Sequence, residues 1–348
     1  DDSTLDLTIT NASSSSVNNI TVDANNGADT TVNIGGAIGL TGTLHVGADN
    51  GTATALFTEL NGASGDIDVN ASNDAAVSLD IATLNGEITN FTVNADNSII
   101  DVTTNSSLIG VSNNYSVDIT NLTATASSSS DVNITLNGDT TIAGGDITAS
   151  ADDSTLDLTI TNASGSISNM TIDANNGADT TVNISASSDA LQLFDTLHVG
   201  ATNEGTAIAS INDLLMGGGN IDVNASNDAT VSLDIARLNG DITNFTVAAD
   251  NSIIDVTTSN NGSDDILNIT NLTATASLGS EVAISLDGNT TFLANGSDDA
   301  DIIAFADDST LDLTITNASS SSVNNITVDA NNGADTTVNI GGAIGLTG

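Results

Sequence analysis

The side chains of this chain that could do chemistry are nearly all oxygen donors of one sign. Its 348 residues carry 45 Asp plus Glu and a single Lys or Arg, Arg237, for a formal net charge of −44. Such a chain repels itself unless counter-ions collect on it, and hard divalent cations are the ions that take carboxylate and carbonyl oxygens. Calcium is therefore the expected cofactor. A carboxylate follows each apolar alternation within about ten residues: Asp29, Asp49, Asp74, Asp96, Asp131, Asp152, Asp179, Glu204, Asp228, Asp250, Glu281, Asp307 and Asp335. The candidate calcium ligands are Asp23, Asp29, Asp49, Asp74, Asp96, Asp152, Asp153, Asp173, Asp179, Asp228, Asp250, Asp307, Asp308, Asp329 and Asp335. If such acids stacked on neighbouring layers about 5 Å apart, each pair would repel by roughly 1 kcal/mol even in water, and a bound cation would remove that cost. Asp also suits turns without any ion, because it tolerates left-handed backbone and caps its own turn.

Other chemistry is sparse. His45 and His198 stand at matching places in LHVG, one step after an inward Leu, and are expected to face solvent with no nucleophile or cation beside them. A polysaccharide lyase would need basic residues that the chain lacks, and the hydrolase case rests on the paired acids Asp152–Asp153 and Asp264–Asp265 alone. No catalytic role is expected. Clustered Lys or Arg for phosphate contacts are absent, which excludes nucleic acid and argues against an anionic membrane surface. No apolar run approaches the roughly 20 residues of a membrane-spanning helix. Without Cys there are no disulfides or thiolate metal sites, so stability must come from stacking. Gly217-Gly218-Gly219-Asn220-Ile221-Asp222 is one imperfect copy of the glycine-rich calcium nonapeptide, and EF-hand loops are absent.

The elements that must position these groups are repeats. The stretch ITVDANNGADTTVNI at residues 20–34 returns as MTIDANNGADTTVNI at 170–184 and unchanged at 326–340. Alternating apolar residues, a turn of Asn, Gly and Asp, then a second alternation read as two short strands joined by a tight corner. Residues 1–42 and 307–348 are identical, which sets a tandem period of 306 residues. Half-repeats run roughly over 1–151 and 152–306, with the period restarting over 307–348; the expectation is one continuous solenoid window of a longer tandem-repeat chain. First strands align with starts at Ile20, Leu44, Ile67, Phe91, Leu122, Ile147, Met170, Leu197, Ile221, Phe245, Leu272, Ile302 and Ile326. The fold class expected is all-β: a parallel β-solenoid of about 24–26 residues per coil and about 12 coils per period. Parallel pairing at about 4.8 Å would make a rod roughly 60 Å long. The second strands, such as Leu5-Leu7-Ile9 and Val77-Leu79-Ile81, are expected to point inward.

Seven coils enter the first strand through apolar-x-Asn-apolar-Thr. The two apolar residues lie three apart, so the backbone must bend at the Asn, and stacked Asn side chains can bond from coil to coil there. Asn19, Asn90, Asn121, Asn169, Asn244, Asn271 and Asn325 are the predicted ladder. The same seven sit in N-x-T sequons and would accept glycans in a host that modifies them.

Repeats such as TLDLTITNA, DVNITLNG and ITVDANNGADTTVNI, without Cys and almost without Lys or Arg, resemble the Asn-, Thr- and Asp-rich solenoid regions of bacterial surface-layer proteins and related giant repetitive adhesins. That resemblance implies export to the cell surface or beyond it, calcium-dependent order and self-association into a lattice or fibre. It makes a structural extracellular protein the leading expectation, with the stalk or binding face of an adhesin as the alternative. A polysaccharide-active enzyme and an ice-binding solenoid, the latter suggested by outward Thr in LTIT and LTATA, rank below both.

Overall fold

A computed structural model describes residues 3–106, 116–187, 190–260, 266–293 and 300–346. The chain is a parallel β-solenoid of about 13 coils, with turns about 24 residues apart and no helix among the described residues. It divides into two compact units, residues 1–167 with 179–189 and residues 168–178 with 190–348. The pair Asp264–Asp265 lies outside the described residues.

In the first unit the register follows the alignment of first strands. Ile20 pairs with Leu44, Leu44 with Ile67, Ile67 with Phe91, Phe91 with Leu122 and Leu122 with Ile147, all in parallel. In the second unit Met170 pairs with Leu197, and the column continues through Ile221, Phe245, Leu272 and Ile302 to Ile326. Alternation explains why each strand forms where it does. Ile67, Val69 and Ala71 are buried while Asp68 and Asn70 between them stay partly exposed. The inward residues grade from large to small along the first strand, as in Phe91, Val93, Ala95 and in Leu122, Ala124, Ala126. A small third residue leaves room for the corner that follows. Each large aliphatic residue so buried contributes roughly 1.5–3 kcal/mol.

That corner is built from a column of residues in the left-handed region. Asn26, Asn50, Asn73, Asn97, Ser128 and Asp153 have φ of 55, 51, 58, 50, 58 and 48° in the first unit. Asn176, Asn203, Asn227, Asn251, Leu278, Asp308 and Asn332 do the same in the second. Asn and Asp pay the least of any residues with a side chain for this conformation, which is why they dominate the position. Buried serines hold the inner side of the corner: Ser130 N–H donates to Ser154 Oγ at 3.0 Å and Ser98 N–H to Ser130 Oγ at 3.1 Å.

Among the described residues a third paired segment also appears, which the two-strand reading of the sequence does not contain. Leu60, Asn61 and Gly62 pair with Leu84, Asn85 and Gly86, and Leu214 pairs with Leu238 in the second unit. A single buried Leu followed by Asn-Gly leaves too few positions for a period of two to emerge. Leu5, Leu7 and Ile9 depart from expectation too, being 59, 45 and 40 % exposed. The cause is position in the stack, since Leu311, Leu313 and Ile315, in the same local sequence, are fully buried where coils pair on both sides.

Candidate functional site

The carboxylates do not stack as an unbroken acidic column. At the end of the first strands the column reads Asn25, Asp49, Ser72, Asp96, Ser127, Asp152 in the first unit. In the second it reads Asn175, Thr202, Ser226, Asp250, Ser277, Asp307, Asn331. A hydroxyl or amide sits between successive acids. Two coil spacings put the charges about 10 Å apart and reduce each repulsion in water to about 0.4 kcal/mol. The intervening hydroxyls and the adjoining turn amides donate to the acids. Asn73 Nδ2 donates to Asp49 Oδ1 at 2.6 Å, Ser277 Oγ to Asp250 Oδ1 at 3.0 Å and Ser127 Oγ to Asp96 Oδ1 at 3.4 Å, while Asn332 donates to Asp307.

The remaining candidate ligands are dispersed. Asp74, Asp153, Asp228 and Asp308 occupy left-handed turn positions, two of them bonded by the next coil's amide: Asn97 to Asp74 at 2.8 Å and Asn251 to Asp228 at 2.7 Å. Asp29, Asp179 and Asp335 are exposed at the starts of second strands opposite Thr4, Thr155 and Thr310. Asp329 is exposed opposite Phe305. Among the described residues, no three of His, Cys, Asp and Glu gather in an arrangement that could hold a metal ion.

The corner before the first strand carries the amides. Asn90 Nδ2 donates to Asp66 Oδ1 at 2.9 Å, Asn121 Nδ2 to Asn90 Oδ1 at 3.1 Å, and Asp146 N–H to Asn121 Oδ1 at 3.2 Å. Thr43 N–H donates to Asn19 Oδ1 at 2.9 Å. In the second unit Asn244 donates to Asn220 at 2.9 Å, Asn271 to Asn244 at 3.1 Å and Asn325 to Asp301 at 3.0 Å. Asn169 holds the corresponding place before Met170. Asp66, Asp146, Asn220 and Asp301 complete these columns. The five-residue motif passes over them, although each immediately precedes an aligned first strand.

The two histidines are not solvated surface residues, and the coil register shows why. Thr21, His45 and Asp68 share one outward column, and Asp23, Gly47 and Asn70 share the next. His45 is thereby held between two acids, its Nδ1 2.9 Å from Asp68 Oδ2 and its Nε2 3.1 Å from Asp23 Oδ1. The second unit repeats the arrangement. His198 lies 3.1 Å from both Asp222 and Asp173, clasping three successive coils. A glycine makes each clasp feasible. A Cβ at Gly47 would stand 2.6 Å from His45 Nε2, and one at Gly200 would stand 2.7 Å from His198 Nε2 and 2.8 Å from Asp173 Oδ1. Hydrogen bonds to Asp173 and then Asp222 push the His198 pKa up to about 9 against the opposing effect of burial. Asp222 is held below its ordinary value mainly by its bond to His198, with burial opposing and the Asn224 amide assisting. Asp68, Asp222, Gly47 and Gly200 are the residues that sequence reasoning missed, although the aligned coils already place them beside the histidines.

The single Lys or Arg side chain is also paired. Arg237 forms a salt bridge to Asp213, which is only 4 % exposed and whose Oδ1 has no hydrogen-bond partner.

Beside His198 the outer face of the second unit opens into a trough of about 540 Å³. Its central column reads Asp173, Gly200, Asn224, Ala248, Thr275. The matching column of the first unit reads Asp23, Gly47, Asn70, Asn94, Thr125. There Asn94 bridges its neighbours, donating to Asn70 Oδ1 at 3.1 Å and accepting from Thr125 Oγ1 at 2.6 Å. Ala248 can do neither.

No protein-family model, curated protein or solved structure matches the chain.

Proposed function

We propose that this chain is a structural element of an extracellular surface layer or filament, built from 306-residue solenoid periods that associate with one another through calcium. The observation that carries the reading is where the polar side chains are committed. Amides at one corner, serines and acid-to-amide pairs at the other, and two histidine clasps on the outer face all bond one coil to another. A chain that uses its functional groups this way resists extension along the stack, because separating two coils breaks a row of side-chain bonds as well as the backbone ladder. Self-association is the natural complement, since the net charge of −44 keeps copies apart until a divalent cation screens or bridges them.

In this proposal calcium lies between copies. At the ends of the first strands the acids are spaced by neutral residues and accept hydrogen bonds, so stacking there does not call for the ion. Outward carboxylates such as Asp49, Asp96, Asp250 and Asp307 offer half of a coordination sphere that a neighbouring chain completes. Glycans at the Asn sequons would occupy a corner whose amides already bond from coil to coil. Light scattering by the purified chain tests the calcium step. Growth on adding calcium, with reversal by EDTA and a weaker response to magnesium, is expected. No growth up to roughly 10 mM calcium, ten times the weak end of extracellular affinities, refutes it.

A further inference from the structure

We propose that the trough beside His198 is a binding site for a small molecule bearing a primary carboxamide. The two units share the column His-Asp beside Asp-Gly-Asn-x-Thr, and within it they differ at one place, Asn94 in the first unit and Ala248 in the second; in the neighbouring column Asp49 of the first unit stands where the second has Thr202. In the first unit the carboxamide of Asn94 occupies that place, with its amino end on the Asn70 carbonyl and its own carbonyl on the Thr125 hydroxyl. The second unit keeps the two flanking groups and loses the carboxamide. Asn224 holds the register place of Asn70 and its amide assists Asp222, as Asn70 Nδ2 donates to Asp68 Oδ1 at 2.7 Å. Thr275, deprived of a side-chain acceptor, turns its hydroxyl to the carbonyl of Val247 at a long 3.5 Å.

The place left by the missing side chain therefore calls for one N–H donor and one carbonyl acceptor on the same carbon. A carboxamide meets both demands, whereas a carboxylate has the shape without the donor. Charge selects in the same direction. Asp173 and Asp250 line the trough and Asp222 pairs with its one histidine, so an anion is repelled while a neutral or cationic amide is admitted. The remaining volume, bordered by the Thr202 and Ser226 hydroxyls, leaves room for the rest of such a molecule.

The test is an NMR titration of the whole chain with glycinamide, with acetate as the shape control. Saturable shifts of the residue 224, 248 and 275 amides at one site per chain are expected, and none with acetate. Ala248→Asn installs the residue of the other unit and should abolish the site. Asn94→Ala should create a second one, raising the stoichiometry from one to two, with new shifts at residues 70, 94 and 125. Equal shifts with glycinamide and acetate, binding that survives Ala248→Asn, or Asn94→Ala that adds no site would each overturn the proposal.

Discussion

Replacing His198 by Gln gives the sharpest test of the clasp. The folded pKa of about 9 lies above the ordinary 6.5, so the protonated ring binds its proton more tightly when the coils are stacked. By linkage, its stabilisation is fully present below pH 6.5 and is lost as the pH rises through 9. A shift of that size corresponds to about 3 kcal/mol for a sequestered group. The ring is 28 % exposed and its partners about a third exposed, so solvent screening reduces the expected effect to about 1–2 kcal/mol. Asp222 works in the opposite sense, its depressed pKa adding stability above the ordinary carboxylate range that disappears in acid. The second unit should therefore be most stable between roughly pH 4 and 6.5. Hydrogen exchange of the amides in residues 197–202 and 221–226, followed from pH 6 to 10 after correction for intrinsic rates, reads this locally. The wild-type chain should lose about ten-fold in protection, corresponding to about 1.4 kcal/mol, while His198→Gln begins less protected and shows no such step. A wild-type profile without a step near pH 9, or one that persists in the variant, refutes the clasp.

Three further outcomes follow from the geometry. Gly200→Ala places a methyl against the His198 ring and the Asp173 carboxylate, so the histidine titration followed by NMR should fall from about 9 toward 6.5, at a cost of about 1–3 kcal/mol in coil protection. Asn121→Ala leaves the Asn90 carbonyl and the Asp146 N–H without the amide between them, and should cost about 1–2 kcal/mol in hydrogen-exchange protection around residues 90 and 146 without unfolding distant coils. Arg237→Gln strands the buried Asp213 and should cost about 2–3 kcal/mol, an Asp213→Asn companion change restoring part of it. The same arginine is the one trypsin site in the chain, so digestion should yield two fragments at most.

The reach of sequence reasoning here has a physical pattern. First strands were legible because Ile, Leu or Phe followed by Val or Ala at alternate positions marks both the strand and its place in the stack, and Ile67, Phe91 and Leu122 fall in one column as aligned. The third strand was not, because one buried Leu before Asn-Gly carries no period. Residues before the first strand were recognised where Asn preceded apolar-Thr and passed over where Asp66 or Asp301 does the same work with a carboxylate. The histidine clasp escaped because each side chain was read within its own coil. His45 looks solitary along the chain, and its partners Asp23 and Asp68 lie 22 and 23 residues away, adjacent only once coils are stacked. Carboxylates posed the reverse problem. Counting one acid per corner suggested a continuous charged column, whereas register shows acid alternating with hydroxyl or amide at the ends of the first strands.

Electron microscopy of the native assembly with and without EDTA, with circular dichroism on the same samples, addresses the central claim most directly. The account predicts regular filaments or sheets in calcium that disperse in chelator into single chains, each retaining its β spectrum. Particles showing no ordered association in calcium, or order and heat resistance untouched by EDTA, would contradict it.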